Sequence, residues 1–447
     1  MLSGQGLNSD TIMPSISPPA ARAVMPSWFN WKTILFIAFA ARTATLLLVH
    51  NFTYPHFFEW GDISRKYLSG RGFSYYTING ADVPTAYMPP AYSFIIQPVF
   101  RALGDGPPAY ILLQVTQLLF GVLLVYLVYR ITRIACDENT ALVAAALAAG
   151  YPPFIYLPSE MHSINFYIVI TLAALYYLFL FLEVEPKQSY VVYAALLLGV
   201  LLYFRAEALA LPFLYASLLL YRSRRYWKSA LILILLPLFL LTPWTVRNYR
   251  TFNSMVLTTT SGGINLWYGH NQQATGTQRE PWPSGKVVTP DAALQSRINA
   301  LPPTADYELR LSALYHDEAI KFIRTHPARE AELLALKLFY FWTIDWNHPK
   351  ARHFIYAAPT LLLVAVFWLG IAVNGRDLFG RYLILTVTLL FTNLIALVFF
   401  VLPRYRLVVE PIMILFSAGA IVWIWNALIA LGTRPAEPNV EQRSLVL

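Results

Sequence analysis

The chain has 447 residues, of which 57% are hydrophobic, 15% aromatic and only 13% charged, with a mean hydropathy of +0.50. That balance excludes a water-soluble globule and makes lipid the solvent for most of the chain. The net charge of +9 does not imply nucleic acid, because the lysines and arginines sit mostly beside apolar runs, where they set topology.

Residues 1–28, rich in Pro, Ser and Ala, read as a disordered cytoplasmic tail. No small-residue cleavage site follows the first long apolar run, so it reads as a retained span and not a removed signal peptide. Runs able to cross a bilayer of about 30 Å fall at 33–50, 108–130, 140–158, 161–183, 189–204, 206–221, 228–244, 353–374, 381–402 and 410–431. The fifth and sixth are short, either two tight helices broken at Phe204-Arg205-Ala206-Glu207 or a hairpin that does not fully cross. The expected fold is therefore an all-α polytopic membrane protein of about ten transmembrane helices. The single cysteine, Cys136, leaves no internal disulfide framework.

With the N-terminus cytoplasmic, every inside loop carries cations: Arg130 and Arg133, Lys187, Arg222 to Lys228, Arg376 and Arg381, and Arg434 in a cytoplasmic tail at 432–447. This places two long polar segments outside. The first, 51–107, belongs to an N-terminal membrane module at 29–244. The second, 245–352, forms a small outer domain, followed by C-terminal membrane helices at 353–431. Helical stripes are expected at 59–69 (Trp60, Ile63, Tyr67, Leu68), at Leu311, Tyr315, Ala319 and Phe322 up to His326-Pro327, and at 328–343. No strong internal repeat is visible.

The informative cations are those that break the charge rule. Arg205, Arg404 and Arg406 lie at outer helix ends, where topology prefers none; a guanidinium there suits a phosphate, to which it donates bidentate bonds. The alternatives are snorkelling or local ion pairs, Arg205 to Glu207 and Arg406 to Glu410. Asp62, beyond the first span beside Trp60, is a candidate general base, or an ion-pair partner of Lys66 one turn on. Glu160 caps the fourth span or, with His162, binds a sugar hydroxyl or a metal. Tyr87-Met88-Pro89-Pro90-Ala91-Tyr92, Pro243-Trp244 to Arg247-Asn248, and Ser261 to Asn271 have the texture of a binding surface, with Asn265, His270 and Asn271 offering groups for hydroxyls. The plain reading of these segments is turn chemistry and an aromatic belt.

The ordered set resembles the GT-C membrane glycosyltransferases, specifically glycosyltransferase family 39, which includes protein O-mannosyltransferases and the aminoarabinose transferases of lipid A. The matching pieces are Asp62, Tyr67 and Gly70-Arg71-Gly72-Phe73, then Pro89-Pro90-Ala91-Tyr92, Ser159-Glu160, Pro243-Trp244 to Arg247-Asn248, Gly263 to Asn271, and Arg404-Tyr405-Arg406. Family members often pair two acids in the first loop; here Gly61 precedes Asp62, and the nearest second carboxylate is Glu59. The resemblance implies transfer of a sugar from a polyprenyl-phosphate carrier to a lipid, glycan or protein acceptor outside the cytoplasm, with Asp62 as base. The carrier phosphate would meet Arg404 and Arg406, helped by Arg205 or Arg247, while Glu160, Tyr92, Asn265, His270 and Asn271 would face sugar or acceptor. No cofactor is demanded, a divalent metal is compatible, and a bacterial inner membrane is the expected location. Two other readings remain: a transporter or flippase, for which Arg42 within the first span is the pointer, and a non-catalytic assembly subunit.

Overall fold

The structure, a computed structural model, describes residues 25–50, 52–375 and 380–432. Most of both expected tails, with Arg376 and Arg434, lies outside the described residues. Helix α1 (Trp31–Val49) starts at Asn30, whose side chain accepts the Lys32 and Thr33 amides. Its chain then turns into α2 (Phe58–Leu68), a hairpin of β1 (Ser74–Ile78) and β2 (Ala81–Pro84), and α3 (Ala91–Leu103). The hairpin is an addition to the all-helical expectation. It is closed by Asn79-Gly80, both at positive φ, the geometry a tight hairpin turn requires.

Helix α4 (Pro107–Ala135) is 29 residues long, about 43 Å at 1.5 Å per residue, longer than a bilayer core. Next, α5 (Glu138–Gly150) and α6 (Pro152–Tyr156) are one apolar run bent by 59°, because Pro152 and Pro153 cannot donate to the turn before them. The break frees the carbonyls at the end of α5. Arg42 of α1, fully buried, donates to Ala148 and Ala149 oxygens at 3.4 Å each and to Ala38 at 3.1 Å. A cation at a helix C-terminus complements its dipole, which explains an arginine inside the bundle without an acid beside it.

Helices α7 (Ile164–Phe179), α8 (Gln188–Leu201), α9 (Leu211–Arg222) and α10 (Trp227–Phe252) follow. The break between α8 and α9 falls at Phe204-Arg205-Ala206-Glu207, as the sequence suggests. The second polar segment folds into α11 (Gly262–Gly269), α12 (Ala292–Asn299), α13 (Tyr307–Thr325) and α14 (Pro327–Trp342), and the expected helices at 59–69, around Leu311–Phe322 and at 328–343 are all present. The chain ends with α15 (Phe354–Asn374), α16 (Leu383–Val398), the single turn α17 (Pro403–Arg406) and α18 (Glu410–Gly432).

Each of the ten apolar runs coincides with helix, although not all of these helices qualify as spans by length and composition alone. Among the described residues six helices are long and apolar enough to cross a membrane, or seven if the α5–α6 pair is one broken span. The difference comes from α8, α9 and α16, which have 14, 12 and 16 residues. The basic loops gather on one end of the bundle: Arg381 donates to the Ala135 carbonyl at 3.1 Å, and Arg222 approaches Glu183 at 3.5 Å. The two polar segments pack together at the other end, here the loop face. There the buried Glu308 carboxylate accepts from Thr85 Oγ1, the Ala86 amide (2.8 Å) and Thr260 Oγ1 (2.7 Å), tying α13 to the segment after β2.

Candidate active site

Two cavities meet at the loop face, and Arg404 stands in the wall of both. One, of about 280 Å3, is polar and aromatic, lined among others by Trp60, Pro89, His162, Ser163, Arg205, Glu207, Asn265, Phe399, Arg404 and Tyr405. The other, of about 410 Å3, is mostly apolar, lined by Pro152, Pro153, Tyr156, Leu157, Ile355, Tyr356, Pro403 and Leu407, with Glu160 and Lys350 among its few charges.

Arg404 owes its place to a short sequence device. Pro403 fixes the first residue of the single turn α17, and Val401 before it is held by its amide to the Gly276 carbonyl at 3.0 Å. The Arg404 guanidinium lies 5.8 Å from the Tyr405 ring and, among the described residues, has no hydrogen bond or ion pair. A half-buried guanidinium without an acid keeps its planar fork of donors available.

Arg205, at the α8–α9 break, is ion-paired with Glu207, and its guanidinium lies over the rings of Tyr405 (4.9 Å) and Tyr167 (5.5 Å). It therefore lines the cavity as half of a pair, with one edge committed. His162, in the turn before α7, is buried between Phe58 and Trp60, with ring centroids at 5.0 Å from each. Its Nδ1 accepts the Ile164 amide at 3.0 Å, which leaves the proton on Nε2. Burial, then the charges of Arg404, Arg205 and Lys350, hold its pKa well below the ordinary histidine value, so the ring is a neutral donor. Next to it Ser163 Oγ is buried without a partner.

The first-loop acids are split by the turn of α2. Neither Asp62 nor Glu59 is among the residues lining the two cavities; the Asp62 side chain is 58% exposed and 3.5 Å from Arg65, which in turn holds Asp105 at 2.7 Å. Lys66, its expected partner, instead goes to Asp82 at 2.8 Å. Glu59 stands half-buried at the start of α2. Burial, then the charges of Glu59 and Asp62, raise the hydroxyl pKa of Tyr75 to about 12, and the Glu59 charge also raises those of Tyr87 and Tyr268 after burial.

Several expected site residues have structural duties instead. Arg406 is only 3% exposed; its Nε donates to Glu410 at 3.0 Å and its Nη1 to the carbonyls of Phe341 (3.1 Å) and Thr343, so burial and these bonds commit it to the interior of the fold. Arg247 donates to the Thr85 carbonyl at 2.8 Å and Asn248 Oδ1 at 3.0 Å, under the rings of Trp244, Phe73 and Phe252, and joins α10 to the first polar segment. Tyr92 is buried against Met161 and Gln117. His270 is enclosed by Glu330, Lys337 and the Val398 carbonyl. Asn271 donates to the Trp267 carbonyl at 2.7 Å and accepts the Gln273 amide. Glu160 does not cap α7; it pairs with Lys350 in the apolar cavity. Asn265 does line the polar cavity. Thus Arg404, Arg205 and Asn265 come together, Glu160 borders the adjoining cavity, and Asp62 lines neither. The sequence reading named Tyr405 only as part of Arg404-Tyr405-Arg406 and did not single out Lys350, because aromatic and basic residues are common at membrane borders. No three His, Cys, Asp or Glu side chains gather to hold a metal ion among the described residues.

A family model described as dolichyl-phosphate-mannose-protein mannosyltransferase matches residues 87–246, a stretch that contains His162 and Arg205. Among curated proteins none matches the chain by sequence. The fold is that of the Archaeoglobus fulgidus oligosaccharyltransferase: its apo form aligns with a TM-score of 0.53 at 15% identity, over 92% of this chain and 54% of that one. The same enzyme, AglB, in complex with an inhibitory peptide and a dolichol-phosphate aligns with a TM-score of 0.52 at 14% identity, over 92% and 53%. ArnT from Cupriavidus metallidurans bound to undecaprenyl phosphate gives 0.38 at 15% identity, over 87% and 77%. The chain spans about half the length of the oligosaccharyltransferase it matches. The resemblance to GT-C membrane enzymes read from the motifs is thus met again in a family model and in the fold.

Proposed function

We propose that this protein is a glycosyltransferase of the membrane surface, taking a sugar from a polyprenyl-phosphate carrier and passing it to an acceptor hydroxyl. The observation that carries this reading is the position of Arg404, an arginine without an acid, at the border of a polar and an apolar cavity. An amphipathic donor matches that border: phosphate at the guanidinium, prenyl chain along Pro152, Pro153, Tyr156 and Leu407, sugar beside His162, Ser163 and Asn265. The family description of the matched segment and the dolichol-phosphate in the similar archaeal enzyme support a carrier of this class.

In this scheme the acceptor oxygen attacks the anomeric carbon, the bond from that carbon to the phosphate oxygen breaks, and the acceptor proton passes to a carboxylate. Glu59 is taken as that carboxylate because it is the more buried of the two acids on α2 and has no ion pair among the described residues, while Asp62 is exposed and held by Arg65. Arg404, with Arg205 and the neutral Nε2–H of His162, meets the charge that grows on the departing phosphate, an effect of about 3 kcal/mol for each preorganised donor. The loop face is then the exterior or periplasmic face of a bacterial inner membrane, with both termini cytoplasmic, and the acceptor is a lipid, a glycan or a protein. The transporter reading loses its main pointer, since Arg42 is committed to the carbonyls of the broken α5. The test is incubation of the purified protein with a panel of polyprenyl-phosphate sugars and candidate acceptors, with products read by mass. No transfer from any donor, together with no binding of polyprenyl phosphate, rejects the proposal.

A further inference from the structure

We infer that Lys337 and His270 are positioning residues for Arg404, fastening the end of α16 so that α17 presents the free guanidinium where the two cavities meet. The inference rests on the reading of Arg404 as the donor-phosphate group.

A helix leaves its last carbonyls without intrahelical partners. In α16 these belong to the residues just ahead of the Val401–Arg404 stretch. Lys337 of α14, fully buried, donates from Nζ to the Leu397 carbonyl at 3.1 Å. His270, just after α11, lies with Nε2 2.8 Å from the Val398 carbonyl. A carbonyl only accepts, so the histidine carries a hydrogen there. On its other edge Nδ1 meets Glu330 at 2.7 Å; Lys337 Nζ, 3.0 Å from Nε2, is a close neighbour whose hydrogen bond goes to the Leu397 carbonyl and not to the protonated ring nitrogen. One carboxylate thus balances two basic groups at the negative end of a helix dipole, where positive charge is favoured. Burial, opposed by the charge of Glu330, brings the Lys337 pKa down to about 8.

The backbone on either side is gripped as well. Gly269 passes so close to the Phe399 carbonyl that a Cβ there would run into it, and Phe399 lines the polar cavity. Beyond Arg404 the next hold is Arg406 on the Phe341 and Thr343 carbonyls. Lys337 and Phe341 are one turn apart on α14, so a single helix fixes the chain on both sides of a residue that itself touches no acid. The cluster joins α14, the end of α11 and the last carbonyls of α16, and α16 leads directly into the turn bearing Arg404.

The experiment measures donor KM, kcat and direct binding of a short-chain polyprenyl phosphate for Lys337→Met, Lys337→Arg, Arg404→Ala and the double variant Lys337→Met/Arg404→Ala. The expected result is a donor KM raised about tenfold by Lys337→Met with acceptor KM within twofold of the parent, recovery in Lys337→Arg, and no added loss from Lys337→Met once Arg404 is gone. Equal loss in both backgrounds, or unchanged donor KM in folded Lys337→Met, overturns the inference. A lack of effect from Arg404→Ala instead overturns the functional reading beneath it, and is visible separately. If Lys337→Met does not accumulate, His270→Gln, which keeps a donor, against His270→Leu, which does not, gives the same comparison with the same two outcomes.

Discussion

Replacing Arg404 with glutamine removes a cation from the wall shared by two cavities while leaving a side chain of similar reach. Because the guanidinium has no acid partner, no buried carboxylate is stranded and the fold should stay as stable as the parent. A preorganised donor to developing negative charge is worth about 2.7–4 kcal/mol, and each 1.36 kcal/mol is about tenfold in rate. Arg404 is half-buried, so solvent screens part of this and the lower end applies: kcat/KM for the lipid-linked donor should fall about a hundredfold. Arg404→Lys keeps the charge but loses the planar fork, and should recover part of that loss. The assay is transfer from a polyprenyl-phosphate sugar, with thermal unfolding run beside it. Arg406→Gln is the contrast. It leaves Glu410, 2% exposed, without its cation, and breaking such a pair costs about 3–5 kcal/mol, so the damage should appear as lost stability. Arg404→Gln within threefold of the parent would refute the assignment of the phosphate site.

Glu59→Gln should lower kcat by about 10^2–10^4, the range for a lost general base, while Asp62→Asn, which alters only an exposed pair, should stay within a fewfold; the reverse ranking would return the base to Asp62. Arg42→Met should lower the unfolding temperature without changing donor KM, because the loss is of bonds to the α5 carbonyls in a lipid-facing bundle, where unpaired carbonyls cost several kcal/mol; an unchanged melting curve contradicts this. His162 titrates well below its ordinary value of 6.5 in the folded protein, so below about pH 6.5 the unfolded chain binds a proton that the folded chain refuses. Stability should then fall with decreasing pH at about 1.36 kcal/mol per unit, and His162→Gln should flatten that slope; equal slopes in parent and variant would be inconsistent with a neutral buried ring.

How much of this was legible in the sequence follows from what each residue depends on. The apolar runs are local, so every one of them turned out helical, and the break at Phe204–Glu207 could be read from a pair of charges inside an apolar stretch. Helix length depends on breaks and bends, and α8, α9 and α16 are shorter than the apolar runs that announce them. The rule that an arginine on the wrong side needs an anion selected Arg205, Arg404 and Arg406 together, although their surroundings differ entirely. Arg205 has Glu207 two residues on, a partner its own sequence displays. Arg406 has Glu410 one turn on, which the sequence also displays, but its second set of partners, the Phe341 and Thr343 carbonyls, comes from some 60 residues away through the packing of α14. Arg404 is set apart only by what it lacks, and a missing partner is invisible until every neighbour has been placed. The same holds for His270: beside glycines and aromatics it reads as a sugar-binding side chain, yet Glu330, Lys337 and the end of α16 arrive from distant positions to enclose it. Local chemistry can therefore nominate candidates, but which of them is left unpaired among the described residues emerges only from the tertiary contacts.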